Sequence, residues 1–244
     1  MLKKLLPRLL AALLALTSTA KAQQLTDVLP VDDSYAYEIK DEFQIGVCKA
    51  QVVRLTSQTW QGKPWQHWLT ILEPEDTSLK DAAILFISGG SSQSGQPDAN
   101  NGEVKQFALV ASVCQVPVAI LHQVPNQPLQ GKKYEDDLIA FTFDKYMNGL
   151  GDDWPLLLPM VESVIRAMDT TAALLKEQNG TKVTRFSVAG ASKRGWTTWT
   201  TAAVDDRVVG IAPLVIDLLN VIPSFEHHYK AYGDWSPAIK DYVD

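Results

Sequence analysis

From residue 82 onward, the apolar positions fall into unbroken runs separated by stretches with helical spacing. Ala82–Ile87 (AAILFI), Val116–Leu121, Val183–Ala189 and Val208–Ile216 carry almost no polar alternation. Such runs predict strands covered on both faces, as in a parallel sheet. Between them, Glu103–Cys114 places Val104, Phe107, Ala108 and Ala111 at helical steps, and Leu156–Lys176 does the same with Val161, Val164, Ile165, Met168 and Ala172. Tyr134–Met147 and the stretch from the turn at Ser192 to about Val204 are predicted as further helices. Upstream, Gly46–Thr59 alternates in part and Trp65–Leu72 is rich in β-formers, with Gly62-Lys63-Pro64 as turn chemistry between them. These two read as antiparallel edge strands. Strands alternating with helices predict an α/β fold, a mostly parallel sheet with helices on both faces and right-handed crossovers.

The ends of the chain obey other patterns. Lys3, Lys4 and Arg8 precede the eight-residue apolar run Leu9–Leu16, and Ala20-Lys21-Ala22 supplies a small-x-small cleavage site before Gln23. Eight apolar residues are far short of the roughly 20 that span a bilayer. Residues 1–22 are therefore expected to be a signal peptide, and the mature protein periplasmic or secreted, with no membrane anchor. Gln23–Phe43 is polar and reads as an N-terminal arm, leaving 44–244 as one domain.

The chain carries a net charge of −6. Without the leader's four cations, 18 basic residues face 28 acids, a net charge of −10. An acidic surface repels nucleic acid and anionic membranes, so neither is expected as a partner. Export permits a disulfide between Cys48 and Cys114. Nothing in the sequence brings them together, and two buried free thiols are the simpler reading.

The chemistry concentrates where a strand meets a helix, at Gly190-Ala191-Ser192-Lys193-Arg194-Gly195. A serine in such a turn is lifted above the sheet, and the first helical turn offers free N–H groups to an oxyanion. Ser192 is thus the candidate nucleophile, although serine is also an ordinary N-cap. The usual second glycine, two residues after the serine, is Arg194 here, and glycine comes one place later at Gly195. An oxyanion hole would combine the Lys193 N–H with one from the turn at Gly89-Gly90-Ser91 after the first buried strand. Arg194 has two readings, a fixed positive charge near substrate or a brace for the helix.

Asp217, at the end of the strand after the serine helix, is the candidate acid, with a cap or turn role as the alternative. His67 and His122 precede the serine, against the usual Ser–acid–His order of an α/β-hydrolase. His227 and His228 follow it, but in a predicted helix, so the triad histidine and the last strands are expected to be missing from this chain. Asp136-Asp137 opens a helix, where carboxylates complement the dipole. No His, Cys or Asp spacing predicts a metal, and no cofactor is implied.

Several segments together resemble the PhoPQ-activated pathogenicity-related proteins, a family that includes the autocrine proliferation repressor proteins. They are Glu135-Asp136-Asp137-Leu138-Ile139-Ala140, Trp154-Pro155-Leu156, Arg166-Ala167-Met168-Asp169, the run Gly190–Trp199, Val215-Ile216-Asp217, His227-His228-Tyr229 and Tyr232-Gly233. The resemblance implies an α/β-hydrolase-like fold, incomplete at the C-terminus, in an exported protein of undefined substrate. The expected function is a serine hydrolase of an ester or peptide-like bond. The alternative is a secreted regulator that binds without catalysis on the same scaffold.

Overall fold

The computed structural model describes Leu29 and residues 33–243, except Lys132, Leu218 and Leu219. The expected leader, residues 1–22, lies outside the described residues. Among the described residues, seven strands form one sheet: β1 (Ala36–Ile45), β2 (Cys48–Trp60), β3 (Lys63–Pro74), β4 (Ala82–Ile87), β5 (Val118–Leu121), β6 (Arg185–Ala191) and β7 (Val208–Leu214). Their order across it is β1-β2-β3-β5-β4-β6-β7. Among the described residues, five helices accompany them: α1 (Gly102–Cys114), α2 (Glu135–Met147), α3 (Leu157–Asn179), α4 (Lys193–Val204) and α5 (Val221–Tyr232), with a 3-10 turn at Pro237–Tyr242.

The sheet is mixed rather than mostly parallel. β1–β2, β2–β3 and β3–β5 pair antiparallel, whereas β5–β4, β4–β6 and β6–β7 pair parallel. The extra antiparallel strand is β1, which occupies the end of the stretch expected to be an arm. Its register shifts between Ile39 and Asp41. Such a bulge reverses which side chains face which side. Tyr37 packs on one core cluster, and Phe43 and Ile45 on the other.

Helices cover both faces. α1 lays Val104, Ala108 and Ala111 against Cys48, Ala50, Leu72, Val118 and Ile120. On the opposite face, Met160, Val164, Ala167 and Met168 of α3 bury against Val53, Leu55, Leu69, Ile71 and Leu85. α4 packs beside α3 and onto β6 and β7. Its buried face is mostly threonine, and the Thr197, Thr198, Thr200 and Thr201 hydroxyls donate to carbonyls four residues back. Polar atoms on that face thus stay bonded inside the helix. Both cysteines are free; Cys48 is buried, but Cys114 is exposed, correcting the expectation of two buried thiols.

The register aligns the carboxyl ends of the parallel strands, since Ile87 lies opposite both Leu121 and Gly190. The chain leaves β4 for β5 on one side and later returns to β6 on the other. That reversal makes the carboxyl end of β4 a topological switch point, where open α/β sheets hold their ligands.

Candidate active site

Two turns meet at this switch point, one after β4 and one after β6. In the second, Ser192 has φ 56° and ψ −123°, a backbone state that residues with a side chain rarely adopt. Such strain persists only where surroundings over-determine it, and it clusters at functional sites. The Ser192 N–H donates to the Leu214 carbonyl at 2.8 Å, and its carbonyl accepts from Trp196 N–H at 3.1 Å. Its side chain is exposed and makes no capping bond, so this serine holds the N-cap position of α4 without capping it. The hydroxyl stands free above the sheet.

The glycine pattern explains how the turn closes. A Cβ on Gly190 would sit 2.7 Å from the Arg194 carbonyl oxygen. A Cβ on Gly195 would sit 2.5 Å from Ile216 Cγ2 and 3.0 Å from the Gly190 carbonyl oxygen. Gly190 and Gly195 therefore face one another where helix meets strand. The shift of the second glycine by one place keeps this close approach and frees position 194 for a long side chain.

Arg194 uses that freedom to cross under the first turn. Its Nε–H donates to the Val124 carbonyl at 2.5 Å, and its two terminal nitrogens donate to the Glu135 carboxylate at 2.7 and 3.0 Å. The guanidinium lies so close to Gly89 that a Cβ there would be 2.7 Å from Nη2. Of the two readings of Arg194, its contacts are those of a brace. Lys193 is buried and also turns to Glu135, with Nζ 2.6 Å from Oε2 and 3.3 Å from Asp136 Oδ2. Its backbone N–H, at the first position of α4, has no intrahelical acceptor. Gly90 has φ 114°, which its lack of a side chain permits. No described residue accepts from the N–H groups of Gly89, Gly90 or Ser91. Together with Lys193 N–H they form a set of free donors around the switch point.

Nothing in the local sequence marks Glu135 as part of the site. It has φ 51° and accepts from Arg194, Lys193 and Gln127, the last at 2.6 Å. Burial alone would raise its carboxyl, but the bonds from Arg194, Lys193 and Gln127 prevail and hold it down to about 2. Asp136, read as a dipole partner, also accepts the Tyr242 hydroxyl at 2.8 Å from the 3-10 turn. Burial, then the Asp136 carboxylate, raises that phenol.

None of the remaining candidates hydrogen-bonds to Ser192. Asp217 is exposed beyond β7, and no hydrogen bond or ion pair joins it to a described residue. His122 bonds Thr70 Oγ1 at 3.0 Å and sits 3.2 Å from Glu103 on the α1 side. His228 accepts from Ser236 N–H at 3.0 Å and stacks on Trp235, while His227 is exposed on α5. His67 is buried in the core, with Nε2 3.1 Å from Ser163 Oγ. Among the described residues, no group of three or more His, Cys, Asp or Glu is placed to hold a metal ion.

A mixed sheet with helices on both faces, carrying a strained serine between strand and helix, defines the α/β-hydrolase fold. Solved structures agree on the fold. A putative acetyl xylan esterase from Bacteroides fragilis NCTC 9343 superposes with a TM-score of 0.54 at 13% identity, covering 79% of this chain and 50% of that one. An acetyl xylan esterase from Paenibacillus sp. R4 gives 0.51 at 14% identity, covering 88% and 66%. The chain belongs to the PhoPQ-activated pathogenicity-related protein family, whose sequence profile matches residues 26–244. Within it, autocrine proliferation repressor protein A of Dictyostelium discoideum is 32% identical over 248 residues. That match covers 96% of this chain and 49% of the relative, so the chain spans about half of that protein's length.

Proposed function

We propose that this protein is an exported serine hydrolase that cleaves an ester or peptide-like bond through an acyl-enzyme on Ser192. The observation that carries the reading is the Ser192 hydroxyl itself, exposed, unbonded and held at positive φ between β6 and α4. Attack on a carbonyl carbon forms the Oγ–C bond and pushes charge onto the carbonyl oxygen. The free donors at Lys193 and in the Gly89–Ser91 turn suit that charge. The hydroxyl proton passes to a base and then to the departing alkoxide or amine, and water later releases the acyl group. Asp217 remains the candidate to orient the base. No cofactor enters this scheme.

The test is labelling by a fluorophosphonate of the complete natural protein. Wild type is expected to be labelled and Ser192→Ala not at all; an unlabelled wild type with its fold intact overturns the reading. Export rests on the leader, and no described helix is long and apolar enough to cross a membrane. N-terminal sequencing of the mature protein should begin at Gln23.

One observation favours a second reading, a secreted binding protein on the hydrolase scaffold. None of the four histidines hydrogen-bonds to Ser192. The name of the Dictyostelium relative, a repressor of proliferation, fits a regulator. Failure of labelling would select this alternative.

A further inference from the structure

We propose that Glu135 is a positioning residue that locks the two donor-bearing turns of the site into one rigid unit; this rests on the serine-hydrolase reading above. The two turns are far apart in sequence, and they share no direct hydrogen bond between Ser192 and the Gly89–Ser91 amides. Glu135 joins them from a third element, the start of α2. Towards α4, its carboxylate takes both terminal nitrogens of Arg194 and the ammonium of Lys193. Towards the β4 turn it takes Gln127 Nε2 at 2.6 Å, and that same nitrogen donates to the Gly90 carbonyl at 3.2 Å. Gln127 is held in turn, because its Oε1 accepts the Glu135 backbone N–H at 2.8 Å and its carbonyl accepts Ser92 N–H at 2.6 Å. One carboxylate thus fixes the helix after the nucleophile and, through one amide, the peptide of the glycine turn.

Three further facts fit a positioning role better than a plain surface ion pair. Glu135 adopts φ 51°, a strain that a merely solvated carboxylate has no reason to bear. Its two oxygens receive four donors, so any rotation of the side chain breaks several bonds at once. Finally, Glu135 and Asp136 neutralise Lys193 and Arg194, which leaves uncharged backbone amides, rather than two mobile cations, to meet a developing oxyanion. Backbone donors fixed in advance are worth more than charges that must reorganise during the reaction.

The experiment uses the complete natural protein with wild-type, Glu135→Gln, Gln127→Ala and doubly substituted forms, and Asp81→Asn as a distant control. Fluorophosphonate labelling is followed to saturation, so that the maximal rate separates from the half-saturating concentration. Glu135→Gln and Gln127→Ala should each lower the maximal rate by about tenfold or more, with half-saturation held within about twofold. The double variant should be little slower than either single one, because both cut the same link. Amide exchange in Gly89–Ser91 should quicken by about tenfold in both variants, while β2 and β3 stay as protected as in wild type. Asp81→Asn should label like wild type. If Glu135→Gln does not fold, Gln127→Ala, which leaves the cation pairs intact, carries the test. Wild-type labelling with unchanged rates and exchange in the variants overturns the role of Glu135 and leaves the hydrolase standing. No labelling of wild type overturns both.

Discussion

Ser163 and Ser192 present opposite halves of what a nucleophilic serine needs. Ser163, in the second turn of α3, has a histidine at hand, with its Oγ 3.1 Å from His67 Nε2. His67 is oriented from its other side, where Nδ1 lies 3.1 Å from the His122 carbonyl. By contact alone this is the better serine–histidine pair. Yet both residues are wholly buried, and the Ser163 hydroxyl donates to the Pro159 carbonyl at 2.8 Å. Gln58 and Ser57 close the cluster. No described histidine bonds Ser192, but it has exposure, a strained turn and the free Lys193 amide next to it. On the proposed reading, the comparison teaches that access and donors awaiting charge, rather than a Ser–His bond, single out a candidate nucleophile, while a Ser–His bond in a core is polar satisfaction.

The sharpest way to break the comparison is to exchange the labels. Ser192→Ala should abolish fluorophosphonate labelling, a loss of about a thousandfold or more. Labelling that instead disappears in Ser163→Ala and survives in Ser192→Ala would reverse it. Next in size, Gly190→Val should destabilise the protein by roughly 3 kcal/mol or more, because the clash is with the backbone of residue 194. Thermal unfolding should show a drop of about 10 °C.

A comparable effect belongs to pH and to the core pair. Burial pushes His67 down to about 4, so its folded form stays neutral where an unfolded histidine is charged. Stability is fully present above pH 6.5 and is lost as pH falls from there towards 4, by up to roughly 3 kcal/mol. Melting curves across that range should follow the slope, and His67→Gln should flatten it. The smallest effect is Ser163→Ala, expected to cost about 2 kcal/mol in denaturant unfolding through the partners it orphans, with labelling unchanged.

The parallel half was legible because its strands are nearly unbroken apolar runs. Only β5 is buried throughout: β4 and β6 alternate, and the edge strand β7 is largely exposed, which corrects the expectation of strands covered on both faces. Ala82–Ile87 matches β4 residue for residue, and the helix expected over Glu103–Cys114 begins one residue earlier. β1 was not legible, because the bulge at Lys40 breaks its period and its polar side chains face water. The mostly parallel sheet was overestimated for the same reason, together with the antiparallel β3–β5 pairing that no local pattern records. At the site, Ser192 and the two glycine turns announce themselves by local chemistry. Glu135 does not. Its partners lie in two separate segments, at Gln127 and at Lys193-Arg194, and an acid in the first turn of a helix has a sufficient local explanation. The only trace was two acids and two bases, Glu135-Asp136 and Lys193-Arg194, waiting for a fold to pair them.

The guanidinium lying under Gly89 ties two distant codons together. A larger residue at 89 would collide with Arg194, and shortening Arg194 alone would leave Glu135 facing Lys193 with half its partners gone. Changes at the two positions are therefore expected to be coupled. Anyone hoping to widen this corner of the molecule for a bulkier guest must redesign both at once.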